Sequence, residues 1–143
     1  HVDLINAGID AGLHIMCEKP IDLDISRVEA LRDKANNTKV NISLGFNRRF
    51  HPQFETINRR VKSGDIGNLE QLIITSRDPG PAPLAYIAVS GGIFRDMLIH
   101  DFDVFRWILG DEAATLHATG SVLTDPAVGQ AGDLDSTIVN IRT

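Results

Sequence analysis

The apolar residues of this chain fall into two regimes of spacing. Over residues 1–12, Leu4, Ile5 and Ile9, with the small Ala7, Gly8 and Ala11, recur at helical steps, and Gly12 supplies a stop. Leu13 to Cys17 is a short continuous apolar run, which predicts a buried strand. Asp22 or Asp24 caps a second helix over about 24–36, with Val28, Leu31 and Ala35 inward. Val40 to Leu44 predicts a second strand, ended by Gly45. Helix, strand, helix, strand is the order of a parallel sheet with crossover helices. After Gly45 the pattern changes. A basic, aromatic turn at 46–52 leads into a helix over about 52–63, with Phe54, Ile57 and Val61 inward and Gly64 as its stop. Leu69 to Ser76 alternates as a strand does. The proline-rich stretch 78–83 is a stiff loop. Thr115 to Leu123 and Ser136 to Arg142 are two further strands, joined by a Gly/Pro/Asp-rich loop over 124–135. The expected class is α/β, with an α+β second part, and a boundary at about 45/46.

Gly91 to Gly110 reads as one helix closed by glycine. Phe94, Leu98, Phe102, Phe105 and Leu109 form an apolar stripe. At 100° per residue, Asp96, His100, Asp103 and Trp107 gather in an arc roughly opposite it. Asp96 and His100 are four apart and therefore neighbours. A carboxylate beside an imidazole orients the ring and lets it exchange a proton near neutral pH. A plain exposed face carrying a chance Asp–His pair gives the same spacing. Asp96, His100 and Asp103 also have the donor atoms of metal ligands, but no further ligand stands at a fixed spacing, so no metal is expected.

Composition narrows the field. A chain of 143 residues with 43% hydrophobic and 23% charged residues can bury a real core. Its net charge is −5 with the signs interspersed, which argues against a nucleic-acid or membrane-surface partner. No apolar run approaches a membrane span. The lone Cys17 excludes an intrachain disulfide and fits a reducing, cytoplasmic setting. Two parallel strands are too few to cover two helices, and both ends of the pattern look cut. The expectation is a piece of a longer polypeptide.

Lys19, between Glu18 and Pro20, follows the first strand, and the carboxyl ends of parallel strands are where open α/β sheets bind ligands. There it can polarise a hydroxyl, or stand as an ordinary surface lysine. Pro20 restricts its backbone and permits a cis bond. Arg48 and Arg49 have the chemistry to recognise a phosphate, a carboxylate or a polyol, or to sit in a solvated turn. Asp78 can accept hydroxyl hydrogen bonds or serve as a turn residue ahead of Pro79. His14, His51 and His117 read as structural, and Cys17 as a small hydrophobe. No Gly-x-Gly-x-x-Gly appears, so the chain shows no loop that cradles phosphates.

Three landmarks stand in order: Ala11 to Pro20 (AGLHIMCEKP), Gly45 to Phe50 (GFNRRF), and Ser76 to Pro79 followed by Gly91 to Gly110 (GGIFRDMLIHDFDVFRWILG). Together they resemble the glucose–fructose oxidoreductase / inositol dehydrogenase / rhizopine catabolism family, over essentially the whole chain. The resemblance implies the tail of a Rossmann dinucleotide-binding domain over 1–45. It implies the front of a substrate-binding and oligomerisation domain over 46–143, with an open, mainly antiparallel sheet and helices on one face. The implied reaction is NAD- or NADP-dependent oxidation of a ring hydroxyl in a cyclitol, with the inositol 2-dehydrogenase branch nearest. A dehydrogenase for a glucose-type sugar, or a non-catalytic scaffold or sensor, are the alternatives. The family's catalytic lysine matches Lys19, and its aspartate–histidine pair matches Asp96 and His100. Arg49, Asp78 and Asp103 match positions that touch the polyol, and Glu18, Lys19 and Pro20 the nicotinamide end. The dinucleotide fingerprint is absent, so this stretch alone is expected to be inactive. Exposed strand edges predict a homo-oligomer through the second sheet.

Overall fold

The computed structural model describes residues 1–143, which separate into two units, His1–Asn47 and Arg48–Thr143. In the first, helix α1 (Val2–Asp10), strand β1 (Ile15–Cys17), helix α2 (Ile25–Asn36) and strand β2 (Ile42–Leu44) follow one another. β1 and β2 pair in parallel, Ile15 opposite Ile42 and Cys17 opposite Leu44. Val2, Ile5, Ile9, Cys17 and Leu31 form the core, with Ile15, Ile21, Val40, Ile42 and Leu44 packed against it. The helix α1 stripe is therefore Val2–Ile5–Ile9, and Leu4, predicted inward, is 78% exposed because it lies about 100° round from Ile5. Gly8 lets α1 approach β1, since a Cβ there would come within 2.8 Å of Ile15 Cδ1. Of the two capping candidates Asp24 is the one used, its Oδ1 accepting from Ser26 N at 2.9 Å and from Ser26 Oγ at 2.6 Å.

A 3₁₀ turn (Asn47–Phe50) straddles the boundary, and the second unit continues through helices α3 (Pro52–Lys62), α4 (Leu84–Ser90), α5 (Gly92–Asp96) and α6 (Leu98–Leu109). Strand β3 (Thr115–Ser121), helix α7 (Pro126–Gln130) and strand β4 (Ser136–Arg142) complete it. β3 and β4 pair antiparallel from Thr115–Arg142 to Ser121–Ser136. The class is mixed α/β: a small parallel pair, an antiparallel pair and seven α-helices.

Four sequence expectations for this unit need correction. Leu69–Ser76 keeps most of the alternating burial of a strand but joins neither sheet. The loop expected at 124–135 contains α7, whereas residues 78–83 are irregular as expected and α4 follows them directly. In α3 it is Asn58, not Ile57, that is buried; Ile57 is 46% exposed. The predicted helix 91–110 is two helices. Gly91 and Gly92 are both left-handed (φ 86° and 79°), and the turn breaks again at Met97, where His100 N reaches Met97 O at 3.2 Å, one residue short of the α-helical step. Gly110 closes α6 as expected, with φ 69°. The predicted apolar stripe is only half-buried, and the most buried side chains of α6 are Asp103, Val104 and Ile108.

Candidate active site

Helix α5 carries Asp96 in its last position, and three features fix it. The glycine pair turns the chain sharply into the helix. Asp133, from the segment after α7, accepts from Ile93 N through both carboxylate oxygens, at 3.1 and 3.0 Å. The same carboxylate needs Gly92 to lack a side chain, since a Cβ there would lie 2.7 Å from Asp133 Oδ1. At the other end, the Tyr86 hydroxyl on α4 donates to Asp96 Oδ1 at 2.8 Å. That bond, with some desolvation, holds the Tyr86 phenol above its ordinary range, so it stays protonated and remains a donor. His100, in the first turn of α6, is half-buried with its Nδ1 shielded from solvent.

The middle of α6 is tied to the 3₁₀ turn by two arginines. Arg49 Nε and Nη2 bind Asp103 Oδ2 and Oδ1 at 2.8 and 2.6 Å, a bidentate pair. Asp103 is 7% exposed, and the carboxylate raises the Arg49 guanidinium pKa further. Arg49 also stands over the Trp107 ring, 5.9 Å from its centroid. The buried Asn58 amide, oriented by its hydrogen bonds, donates to Trp107 O (3.0 Å) and accepts from Trp107 Nε1 (3.2 Å). Arg48 binds Asp101 and donates to Ser76 Oγ at 3.2 Å, while Ser76 Oγ donates to Asp101 at 2.7 Å. This side-chain network ties down Ser76, the last residue of the unpaired segment.

The arc expected of one straight helix is thus divided. Asp96 ends α5 and turns to Tyr86; Asp103 and Trp107, on α6, turn to Arg49 and Asn58. Asp103 and Arg49, both expected at the polyol, are brought together as partners. Asp78 is exposed in the irregular segment before α4. No group of three or more His, Cys, Asp or Glu side chains is arranged to hold a metal ion.

In the first unit, Glu18, Lys19 and Pro20 follow β1 directly, and the Lys19–Pro20 peptide is cis. The two parallel strands end side by side, with Gly45 N donating to Cys17 O at 2.8 Å. Glu18 lies over Gly45, where a Cβ would meet its Oε2 at 2.6 Å. In open α/β sheets the carboxyl ends of parallel strands are where ligands bind. Cys17 packs in the core, and burial pushes its thiol pKa up.

The sequence reading passed over Tyr86, Asn58 and Asp133. Tyr86 had a signal: Leu84–Ser90 is bounded by Pro83 and Gly91, the proline-first, glycine-last signature of a short helix. For Asn58 and Asp133 there was none, because their partners are distant in the chain.

Residues 54–143 match the model of the GFO/IDH/MocA C-terminal domain. The whole chain is 50% identical over 143 residues to the inositol 2-dehydrogenase of Rhizobium meliloti (strain 1021), of which it covers 43%. The crystal structure of a myo-inositol dehydrogenase from Corynebacterium glutamicum ATCC 13032 superposes with a TM-score of 0.92 at 49% identity, over 99% of this chain and 42% of that one. A scyllo-inositol dehydrogenase from Lactobacillus casei, solved with bound NAD(H) and scyllo-inositol, gives 0.79 at 33% identity, over 99% of this chain and 44% of that one. The chain therefore spans less than half the length of the relatives it matches. With that match over most of its second unit and ordered landmarks through its first, the chain belongs to the GFO/IDH/MocA family.

Proposed function

We propose that this chain is the central part of an NAD-dependent dehydrogenase that oxidises a ring hydroxyl of myo-inositol or a related cyclitol to the ketone. The observation that carries the reading is 50% identity along the entire chain to an inositol 2-dehydrogenase; Lys19, Asp96 and His100 stand within the landmarks that resemble the family. Residues 1–45 are the end of the dinucleotide-binding domain, and residues 46–143 the start of the substrate domain. A bound nicotinamide would supply the hydride acceptor. The residues of this chain handle the rest. His100 takes the hydroxyl proton as the carbonyl forms, Asp96 holds the ring in orientation, and Lys19 holds and polarises the oxygen. Glu18, Lys19 and Pro20 line the nicotinamide end. Asp78 and the Arg49–Asp103 pair contribute to the polyol side. The open edges of the two-stranded β3–β4 pair support a subunit contact through that sheet.

The test is NAD reduction by the full-length protein with a panel of cyclitols and aldoses. The reading expects turnover on a cyclitol, and a loss of about 10²–10⁴-fold in kcat for His100→Ala, the usual range for a general acid–base group. Turnover confined to aldoses would overturn the cyclitol assignment. Unchanged activity in His100→Ala would overturn the proton route.

A further inference from the structure

We infer that Tyr86 is a positioning residue of the proton-handling pair, acting on His100 through its hydrogen bond to Asp96. The inference rests on the function proposed above. Tyr86 sits on α4, a different helix from Asp96, and its hydroxyl donates to Asp96 Oδ1 at 2.8 Å. α5 is five residues long and is separated from α4 and α6 by breaks at Gly91 and Met97. So short a helix has little rigidity of its own. Asp133 fixes its start and Tyr86 fixes the carboxylate at its end.

Other charged groups nearby are committed elsewhere. On α6, Asp101 and Asp103 are paired with Arg48 and Arg49, and Arg106 with Glu112. Asp133 is engaged at Ile93, and Arg95, on α5 itself, is exposed. From α3, Glu55, Arg59 and Lys62 gather in the groove beside Trp107, toward the other end of α6. Tyr86 is the titratable side chain that α4 brings to Asp96.

The bond has a directional consequence. A phenol donating to a carboxylate draws off part of the charge that the carboxylate lends to a neighbouring imidazolium. With Asp96 orienting His100 as proposed above, Tyr86 lowers the basicity of His100 while its hydrogen bond holds the Asp96 carboxylate. Without the hydroxyl, His100 becomes more basic and less of it is neutral and ready to accept a proton.

The experiment compares full-length wild type, Tyr86→Phe, and a variant with 3-fluorotyrosine at position 86. The phenylalanine keeps the ring, and the fluorinated ring keeps the hydroxyl as a stronger donor. For Tyr86→Phe we expect kcat to fall about 10-fold, the size of one hydrogen bond to a charged group. The KM for the cyclitol should be nearly unchanged, and the acid limb of the kcat/KM profile should move to higher pH. The fluorinated variant should move that limb the other way, below the pH at which its phenol ionises. A fall in kcat with the limb unmoved in both variants assigns Tyr86 a merely structural role and overturns the inference. An NMR titration of His100 is independent of turnover. Opposite displacements of its pKa in the two variants support the inference even if wild type proves inactive on cyclitols, and an unmoved pKa in both refutes it.

Discussion

The two units of this chain are held together by different physics. In His1–Asn47, five buried apolar side chains from both helices and β1 form one core, with few polar groups inside it. In Arg48–Thr143, the most buried face of α6 carries a carboxylate, and bonds between residues far apart in sequence tie α6, α5 and the connecting segments in place. Apolar packing is non-directional and tolerates small shifts. Charge-assisted bonds fix angles and distances. The second unit presents Asp96 and His100, for which direction matters. The comparison can be broken by substitutions of matched size in each.

The largest effect is expected in the apolar core. Ile5 is 2% exposed and bridges α1 to the strands. Ile5→Ala should cost about 2–5 kcal/mol, the range for a fully buried aliphatic side chain that leaves a cavity. Hydrogen exchange should show the loss in the amides of α1, β1 and β2, and α6 should be spared. If α6 lost protection equally, the two units would unfold as one.

Next comes Asp103→Asn. Removing one partner of a buried bidentate pair costs about 3–5 kcal/mol when both groups are buried. Arg49 is 40% exposed and can rehydrate, so about 2–3 kcal/mol is the better expectation. Trp107 is the chain's one tryptophan and lies under Arg49, so its fluorescence reports the change directly. A loss below about 0.5 kcal/mol, the level of ordinary surface substitutions, would remove the claim that polar bonds hold this unit.

The same contrast governs what the sequence disclosed. Periodicity located α1, α2, α3 and α6, the glycine stop at Gly110 and both strand pairs, since each depends on residues close in the chain. The landmarks around Lys19 and around Asp96–His100 were legible for the same reason. What escaped depends on distant partners. The break at Met97 and the placement of Asp96 come with anchors at Tyr86 and Asp133, 10 and 37 residues away in sequence. The burial of Asp103 requires Arg49, 54 residues earlier. A helical wheel groups Asp103 with Trp107 opposite the apolar stripe, but it cannot show that Arg49 covers that face. Leu69–Ser76 shows the reverse case: the local pattern of a strand is intact and its ladder partner is absent.

A third effect is set by pH. Asp135 accepts hydrogen bonds from the amides of Leu123, Thr124 and Asp125 and from Ser136 Oγ, clasping the β3–α7–β4 connection. The backbone donors lower its pKa from 3.8 to about 2. The folded value lies below the unfolded one, so the clasp contributes fully above about pH 4 and its contribution is lost as pH falls toward 2. Asp135→Asn should lower the protection of amides 123–125 at pH 6 and make little difference at pH 2. Equal differences at both pH values would show that the clasp does not depend on charge.

The smallest effect sharpens the comparison most, because it changes exposure and keeps the chemistry. Arg106 and Asp103 lie one turn apart on α6, and each makes a bidentate arginine–carboxylate pair. Arg106 holds Glu112 through Nη2 at 2.5 Å and Nε at 2.9 Å, lowering the glutamate pKa. Their side chains are 58% and 71% exposed. Water can solvate either ion when the pair opens, and holding two long side chains in one geometry costs entropy that offsets the attraction. Glu112→Gln should therefore leave the urea midpoint read from Trp107 unchanged, at low and high salt alike. Asp103→Asn should lower it at both salt concentrations. If the two substitutions had equal effects, geometry alone would set the strength of these pairs; unequal effects in the order given assign the difference to burial.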